Sequence, residues 1–384
     1  MRILIYVHDF LPSVGGVENV VAALASGLAG KAQVRVVTQQ AAGGFDDGLL
    51  PYEVVRQPAV AHLWRMLREA DLIHLAGPSL LPMALGWLLR KKVVVEHHGF
   101  QAVCPNGQLF YEPTQTPCPG HFMAGRHGKC LRCNAGAGRL RSVRMWLLTF
   151  PRRWFAARSR LQIAPTQWLS GVVQLNGIQT IYHGVRERPA DGVAPGTTEP
   201  KRVVYLGRLV STKGVSTLLA AVAWLRQRGR KLRLEVIGDG RERLRLEASA
   251  KELGITEQVG FRGRLPEQEV EAICAGALCV VMPSLGGEVF GLVAAEQMMR
   301  GRVLVVTKGE ALAEVVGEAG LVFPAGDAAA LGRCLERLLD QSELAKELGV
   351  RGRARALDFF REQHMIDAHL AAYRKVMGDG GRPC

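Results

Sequence analysis

The sequence predicts an α/β protein made of two doubly wound parallel domains, and three observations carry that expectation. The chain has 384 residues, more than one ordinary α/β core needs and enough for two. Short β-branched runs alternate with longer amphipathic stretches. That alternation runs once, stops at a segment rich in Pro, Gly and charge, and starts again.

The first series is the β-branched runs 3–7, 34–38, 72–75 and 93–95, which read as parallel strands. Between the first two, residues 17–28 place apolar side chains at helical spacing, as a βαβ crossover requires. Residues 186–202, RERPADGVAPGTTEPKR, are poor in apolar side chains and suit an exposed linker. The second series is 203–206, 234–237, 259–261, 279–282 and 303–306. The expected division is a first domain over 1–185, a linker over 186–200, a second domain over 201–358 and a terminal segment 359–384. The helix in that last segment is amphipathic and is expected to cross back onto the first domain. Folds of this kind bind ligands at the carboxyl ends of their strands, so the chemistry is expected there, in a cleft between two facing Rossmann-like domains.

Composition narrows the function. Hydrophobic residues at 48% and charged residues at 22% exclude a disordered, collagen-like or membrane-embedded chain. The formal charge is +14, and residues 1–180 hold nineteen Lys and Arg against nine Asp and Glu, a net +10. Small phosphate compounds, anionic lipid and nucleic acid all suit that bias. No nucleic-acid-binding module is recognisable, so no nucleic-acid partner is expected. The start MRILIYV enters a strand at once, without the apolar core and cleavage site of an export signal, and the longest apolar run, 79–89, contains Pro82 and ends at Arg90. A cytoplasmic protein is expected, with attachment to the inner face of the membrane left open.

The strongest chemical signal follows the run 279–282: Pro283-Ser284-Leu285-Gly286-Gly287-Glu288-Val289-Phe290-Gly291-Leu292-Val293-Ala294-Ala295-Glu296. A helix starting near Gly291 directs backbone N–H groups at an anion, and Glu288 and Glu296 can accept hydrogen bonds from hydroxyls on either side. A second signal is Gly207-Arg208 followed by Lys213-Gly214, a guanidinium and an ammonium at one strand end, suited to the charge of a diphosphate. In the first domain Gly15-Gly16-Val17-Glu18 joins strand to helix. Val95-Glu96-His97-His98-Gly99 closes a strand six residues before Cys104.

These segments resemble the family-4 retaining glycosyltransferases of GT-B fold. Glu288 to Glu296 matches that family's E-x7-E signature, Gly207 to Gly214 its G-R-x-x-x-x-K-G, and Gly15 to Glu18 its G-G-x-E. The continuation through Thr307 follows the family except for Val303, where proline is usual. The resemblance spans both domains. It implies a UDP-, GDP- or ADP-sugar as donor, with Gly15, Gly16, Arg208, Lys213, Glu288, Phe290, Gly291, Leu292 and Glu296 at the donor. Glu288 is placed on the transferred sugar and Glu296 on the ribose. His98 aligns better than His97 with the family's histidine near the transferred sugar, its acid-base role open. A glycan or lipid-linked acceptor is expected on the first domain. No catalytic metal is expected, because cationic side chains can neutralise the phosphates. A nucleotide-sugar epimerase of the same fold is the alternative.

Two segments stand outside these motifs. Cys104, Cys118, Cys130 and Cys133 fall within thirty residues, with Cys130-Leu131-Arg132-Cys133 a C-x-x-C knuckle. Four thiolates suit a closed structural zinc site, and two disulfides or four free thiols are the alternatives. Residues 139–161 hold seven Arg, no acid, and Trp146, Phe150, Trp154 and Phe155. They suit either an anionic membrane surface or a helix packed on the domain core, with Val143, Trp146, Leu147 and Phe150 on one face and Pro151 breaking or bending the element.

Overall fold

A computed structural model describes residues 1–13, 15–309 and 311–378. Val14 of the Gly15-Gly16 turn and the last six residues of the 359–384 segment, with Cys384, lie outside the described residues. The chain divides into two compact units. One takes Met1–Pro113, Cys118–Gly184 and the terminal segment from Arg361; the other takes Thr114–Pro117 and Val185–Phe360.

The first unit is a seven-stranded sheet. Its strands are β1 (Arg2–Val7), β2 (Gln33–Thr38), β3 (Glu53–Arg56), β4 (Leu72–Ala76), β5 (Lys92–Glu96), β8 (Leu161–Ala164) and β9 (Ile178–Thr180), in the order β3-β2-β1-β4-β5-β8-β9. The short strands β6 (Phe110–Tyr111) and β7 (Thr116–Pro117) pair separately. Every pairing in the large sheet is parallel, so both faces must be covered, and β1 and β4 are accordingly buried along most of their length. The order reverses between β1 and β4, which opens a crevice at their carboxyl ends. The terminal helix Glu362–Gly378 belongs to this unit. It packs on the first helix, Gly16–Ala29, where a Cβ on Gly27 would strike Ile366.

The second unit is a six-stranded parallel sheet of β10 (Arg202–Leu206), β11 (Arg233–Ile237), β12 (Val259–Gly263), β13 (Cys279–Met282), β14 (Leu304–Thr307) and β15 (Leu321–Phe323). Its order is β12-β11-β10-β13-β14-β15, with the reversal between β10 and β13. Residues 186–202 are exposed or half-buried throughout, and the segment is also pinned to the second unit. Asp191 pairs with the buried Arg302 at 2.6 and 3.0 Å, and Gly196 and Thr197 bond the carbonyls of Ala277 and Gly276. Asp191 and Glu271, the latter at 2.5 Å, together offset the cost of burying the Arg302 charge.

The basic segment forms one helix, Arg139–Ala157, that runs through Pro151 rather than breaking there. Proline removes the bond to the Leu147 carbonyl, and Leu147 lies on an exposed face where water can replace it. No helix among the described residues is long and apolar enough to cross a membrane.

Candidate functional site

In the second unit the site is built by loops leaving β10 and β13 at the sheet's reversal. The two loops are zipped together. The Thr212 carbonyl accepts from the backbone N–H groups of Leu285 and Gly286 at 2.7 and 3.3 Å. Gly214, at φ +64°, lies so close to Pro283 that a Cβ there would sit 2.0 Å from its carbonyl oxygen. Only glycine satisfies both conditions.

That approach brings Lys213 onto Glu288. The Lys213 Nζ donates to Glu288 Oε1, and Ser284 Oγ donates to the same oxygen at 3.1 Å. The two charged side chains are 20% and 11% exposed, so the pair is largely shielded from water. Burial alone would raise the Glu288 pKa; Lys213, Ser284 and the Arg208 guanidinium outweigh it and hold the carboxyl below its ordinary value. Arg208 itself is exposed at the end of β10, where the Tyr205 hydroxyl donates to its carbonyl.

The helix after β13 is Leu292–Met299, entered through Gly291 at φ +92° with no side chain capping it. Its first N–H groups are therefore free for an anion. Phe290 is 1% exposed and edge-on to Phe360, so its side chain is part of the core and only its backbone can reach a ligand. Glu296 stands one turn into the helix. Its side chain is exposed on one side, yet surrounding protein atoms, followed by Glu267 and Glu271, push its pKa up to about 7 against the opposing pull of Arg188. Solvent on the open side screens that effect.

A third loop, absent from the sequence reading, completes this corner. Gly238-Asp239-Gly240 leaves β11, the Asp239 carbonyl accepts from Leu209 N–H at 3.0 Å, and Cβ atoms at Gly238 and Gly240 would strike the carbonyls of Gly207 and Leu209. Two glycines directly after a strand were the available signal.

In the first unit Gly15 starts the helix Gly16–Ala29, and Glu18 folds back over it so closely that a Cβ on Gly15 would meet its carboxylate. At the end of β5 the two histidines separate. His97 is fully buried, bonded to Gln162 at 3.0 Å, and burial pulls its pKa down to about 4. His98 lies beside Glu96, with its Nε2 3.5 Å from Glu96 Oε2. Glu96 is wholly buried and also faces His74, His183 and His369 at 3.2 to 3.3 Å. Burial would raise its pKa; the His98 and His369 imidazoles outweigh that and hold it well below the carboxylate range.

Cys104, Cys118, Cys130 and Cys133 line one cavity of about 10 Å³ together with Asn106 and His121. All are free thiols. Asn106 holds two of them, accepting from Cys104 Sγ at 2.9 Å and donating to Cys133 Sγ at 3.3 Å. Burial pushes the Cys104 thiol up to about 11, and burial followed by its three neighbours raises Cys130. The sulfurs do not form a group with ligand atoms mutually within 4.8 Å; among the described residues only Glu96, His98 and His183 do.

Two parallel doubly wound units in one chain, each reversing its strand order beside a glycine-rich turn, define the GT-B class. Solved structures share that fold over the whole chain. Sucrose-phosphate synthase from Thermosynechococcus elongatus has a TM-score of 0.73 at 21% identity, covering 99% of this chain and 100% of that one. Anabaena HepE, solved in complex with UDP, has a TM-score of 0.74 at 18% identity, covering 98% and 100%.

Residues 191–355 match the family model of glycosyl transferases group 1, and residues 14–188 match that of glycosyltransferase family 4. The chain belongs to the family-4 glycosyltransferases. Among curated relatives it is 33% identical to the 2-deoxystreptamine glucosyltransferase of Streptomyces kanamyceticus, over 45% of each chain. It is 38% identical to the MMP alpha-(1->4)-mannosyltransferase of Mycolicibacterium hassiacum, over 44% of this chain and 41% of that one. It is 31% identical to the phosphatidyl-myo-inositol mannosyltransferase of Mycobacterium leprae, over 47% and 48%. The matched stretch thus spans less than half the length of each of these relatives.

Proposed function

We propose that the chain is a retaining glycosyltransferase that takes a sugar from a nucleoside diphosphate sugar bound at the β10/β13 reversal of the second unit. The observation that carries this reading is the Lys213–Glu288 pair, held by two interlocked loops beside an uncapped helix start. In the reaction the bond from the anomeric carbon to the diphosphate oxygen breaks. A bond to the acceptor oxygen forms on the same face, and the acceptor's proton passes to the departing diphosphate oxygen.

Each residue has a task in that step. Lys213 is a cation on a flexible stem, able to turn from Glu288 toward the diphosphate, where it and Arg208 neutralise the charge of the leaving group. The N–H groups of Gly291 and Leu292 face the phosphates. Glu288 accepts hydroxyls of the transferred sugar and Glu296 those of the ribose. HepE crystallised with UDP, which favours a UDP-sugar over GDP- and ADP-sugars. A thermal-shift screen of the three nucleoside diphosphates tests this: one should raise the melting temperature of the wild type and not of Lys213→Ala. Absence of any shift at millimolar ligand refutes the reading.

The acceptor is lipid-linked, and the first unit meets it at an anionic membrane surface. The support is the helix Arg139–Ala157, which is amphipathic in the opposite sense to a core helix. Its buried residues are the small Ser142, Thr149 and Ala156. Its large apolar residues Leu140, Val143, Leu147, Phe150 and Trp154 are exposed, repeating every three or four positions along one stripe. Trp87, 53% exposed, extends the stripe through an edge contact with Trp154 at 5.7 Å. A structural zinc at the cysteine cluster is part of the same proposal. The small enclosed cavity supports it, provided that the sulfurs draw in to the tetrahedral spacing that zinc imposes. Elemental analysis should give one zinc fewer per chain in Cys130→Ser/Cys133→Ser than in the wild type; equal zinc in both refutes it.

A further inference from the structure

We propose that Glu96, His98 and His183 bind one divalent transition-metal ion of the zinc type, at a site separate from the cysteine cluster. The three come from distant parts of the chain: Glu96 ends β5, His98 follows it, and His183 lies beyond β9. Their ligand atoms lie within 4.8 Å of one another, and the side chains are at most 4% exposed.

Two of the separations, one to each carboxylate oxygen, are close to what an ion demands. Ligand atoms held about 2.1 Å from a tetrahedral ion stand about 3.4 Å from each other. Here His98 Nε2 is 3.5 Å from Glu96 Oε2, and His183 Nε2 is 3.3 Å from Glu96 Oε1. The two imidazoles stack at 5.0 Å between centroids and 24° between planes, which sets both Nε2 atoms against the same carboxylate. Neither ring nitrogen of His98 makes a hydrogen bond, although its side chain is 4% exposed. A buried nitrogen in that condition calls for a ligand of its own, and an ion supplies one.

The surroundings resemble the outer shell of a metal site. His369 is held by contacts at both ring nitrogens, Nδ1 2.8 Å from the Met365 carbonyl and Nε2 3.3 Å from Glu96 Oε2. His74 is fixed likewise, its Nδ1 2.8 Å from the Tyr373 hydroxyl and its Nε2 3.2 Å from Glu96 Oε2. Partners that lock the orientation of a ligating carboxylate are a regular part of such sites. Two imidazoles and one carboxylate suit zinc or cobalt; magnesium and calcium prefer oxygen alone. The inference does not depend on the donor site in the second unit.

The test uses full-length protein stripped with chelator and titrated with Co²⁺, then with Zn²⁺ in competition. The wild type should take up two equivalents of Co²⁺, one with a strong thiolate band, and Cys130→Ser/Cys133→Ser should keep one equivalent with visible absorption free of that band, which Zn²⁺ should displace. His98→Gln and His183→Gln should weaken that binding at least tenfold, with circular dichroism checking that each is folded. His98→Gln, at the rim of the cluster, decides the matter alone if His183→Gln does not fold. The proposal is overturned if the cysteine variant abolishes all Co²⁺ binding. It is equally overturned if His98→Gln binds as tightly as wild type, or if the cysteine variant takes up no Co²⁺ at high micromolar concentration.

Discussion

Removing Lys213 exposes how much the second unit depends on one ion pair. In Lys213→Met the Glu288 carboxylate, 11% exposed, keeps only Ser284 as a close donor. Breaking a shielded pair from one side costs about 3 kcal/mol, because the surviving charge stays desolvated. The loss is capped, since with the ammonium gone burial dominates and Glu288 can take up a proton. For a unit of this size about 3 kcal/mol lowers the melting temperature by roughly 6 to 12 °C. Glu288→Gln leaves Lys213 free to reach solvent and should cost less. The double variant Lys213→Met/Glu288→Gln should recover part of the loss, giving a coupling of at least about 1.5 kcal/mol. Scanning calorimetry on the four proteins measures the cycle, and titration with UDP should show more than tenfold weaker binding in Lys213→Met. A coupling below about 0.5 kcal/mol, or unchanged UDP affinity, would refute the reasoning.

Three further outcomes are expected. The Glu296 carboxyl has a raised pKa, about 7, so its contribution to stability is intact below the ordinary carboxyl value and is lost as pH rises through 7. Glu296→Gln should therefore melt with the wild type near pH 4 and above it at pH 8; a gap independent of pH would contradict this. Gly214→Ala should cost about 2 to 4 kcal/mol by urea unfolding, for its Cβ would strike the Pro283 carbonyl. Gly229→Ala, at φ +76° in open space, should cost only about 1 kcal/mol, and equal losses would undermine the interlocked-loop account. Co-sedimentation should retain the wild type on anionic vesicles and lose Arg144→Glu/Leu147→Ser/Trp154→Ser, each surface Arg contributing about 1 kcal/mol. Arg153 is left intact there because it donates to the carbonyls of Val173 and Gln174 and so holds a neighbouring helix end. Equal binding by both proteins would make the helix a purely structural one.

The fold was legible where strands are buried on both faces. The runs at β1, β2, β4, β5, β10, β11, β13 and β14 are mostly apolar sequence. In the two large sheets three strands went unread because they are short or mixed. β3 and β9 have no fully buried residue and β15 has one, and their Glu53, Arg56 and Gln179 interrupt the apolar pattern. β8 was hidden behind the basic segment, whose last residue is its first. The second-unit motifs were legible because their residues follow strand ends in close order. What they could not convey is the contact itself, since Lys213 reaches Glu288 only through the approach of Gly214 to Pro283. The Glu96 cluster left no trace of this kind. His369 and Glu96 are 273 positions apart, and only the return of the terminal helix to the first unit brings them together.

The central claim is sugar transfer with retention, and proton NMR of the reaction measures it most directly. The protein would be given the nucleoside diphosphate sugar that raises its melting temperature, with a membrane lipid extract as acceptor. The account predicts that nucleoside diphosphate appears in step with a glycosylated lipid whose anomeric coupling matches that of the donor. An inverted anomeric signal, or a free or epimerised sugar with no gain by any acceptor, would contradict it.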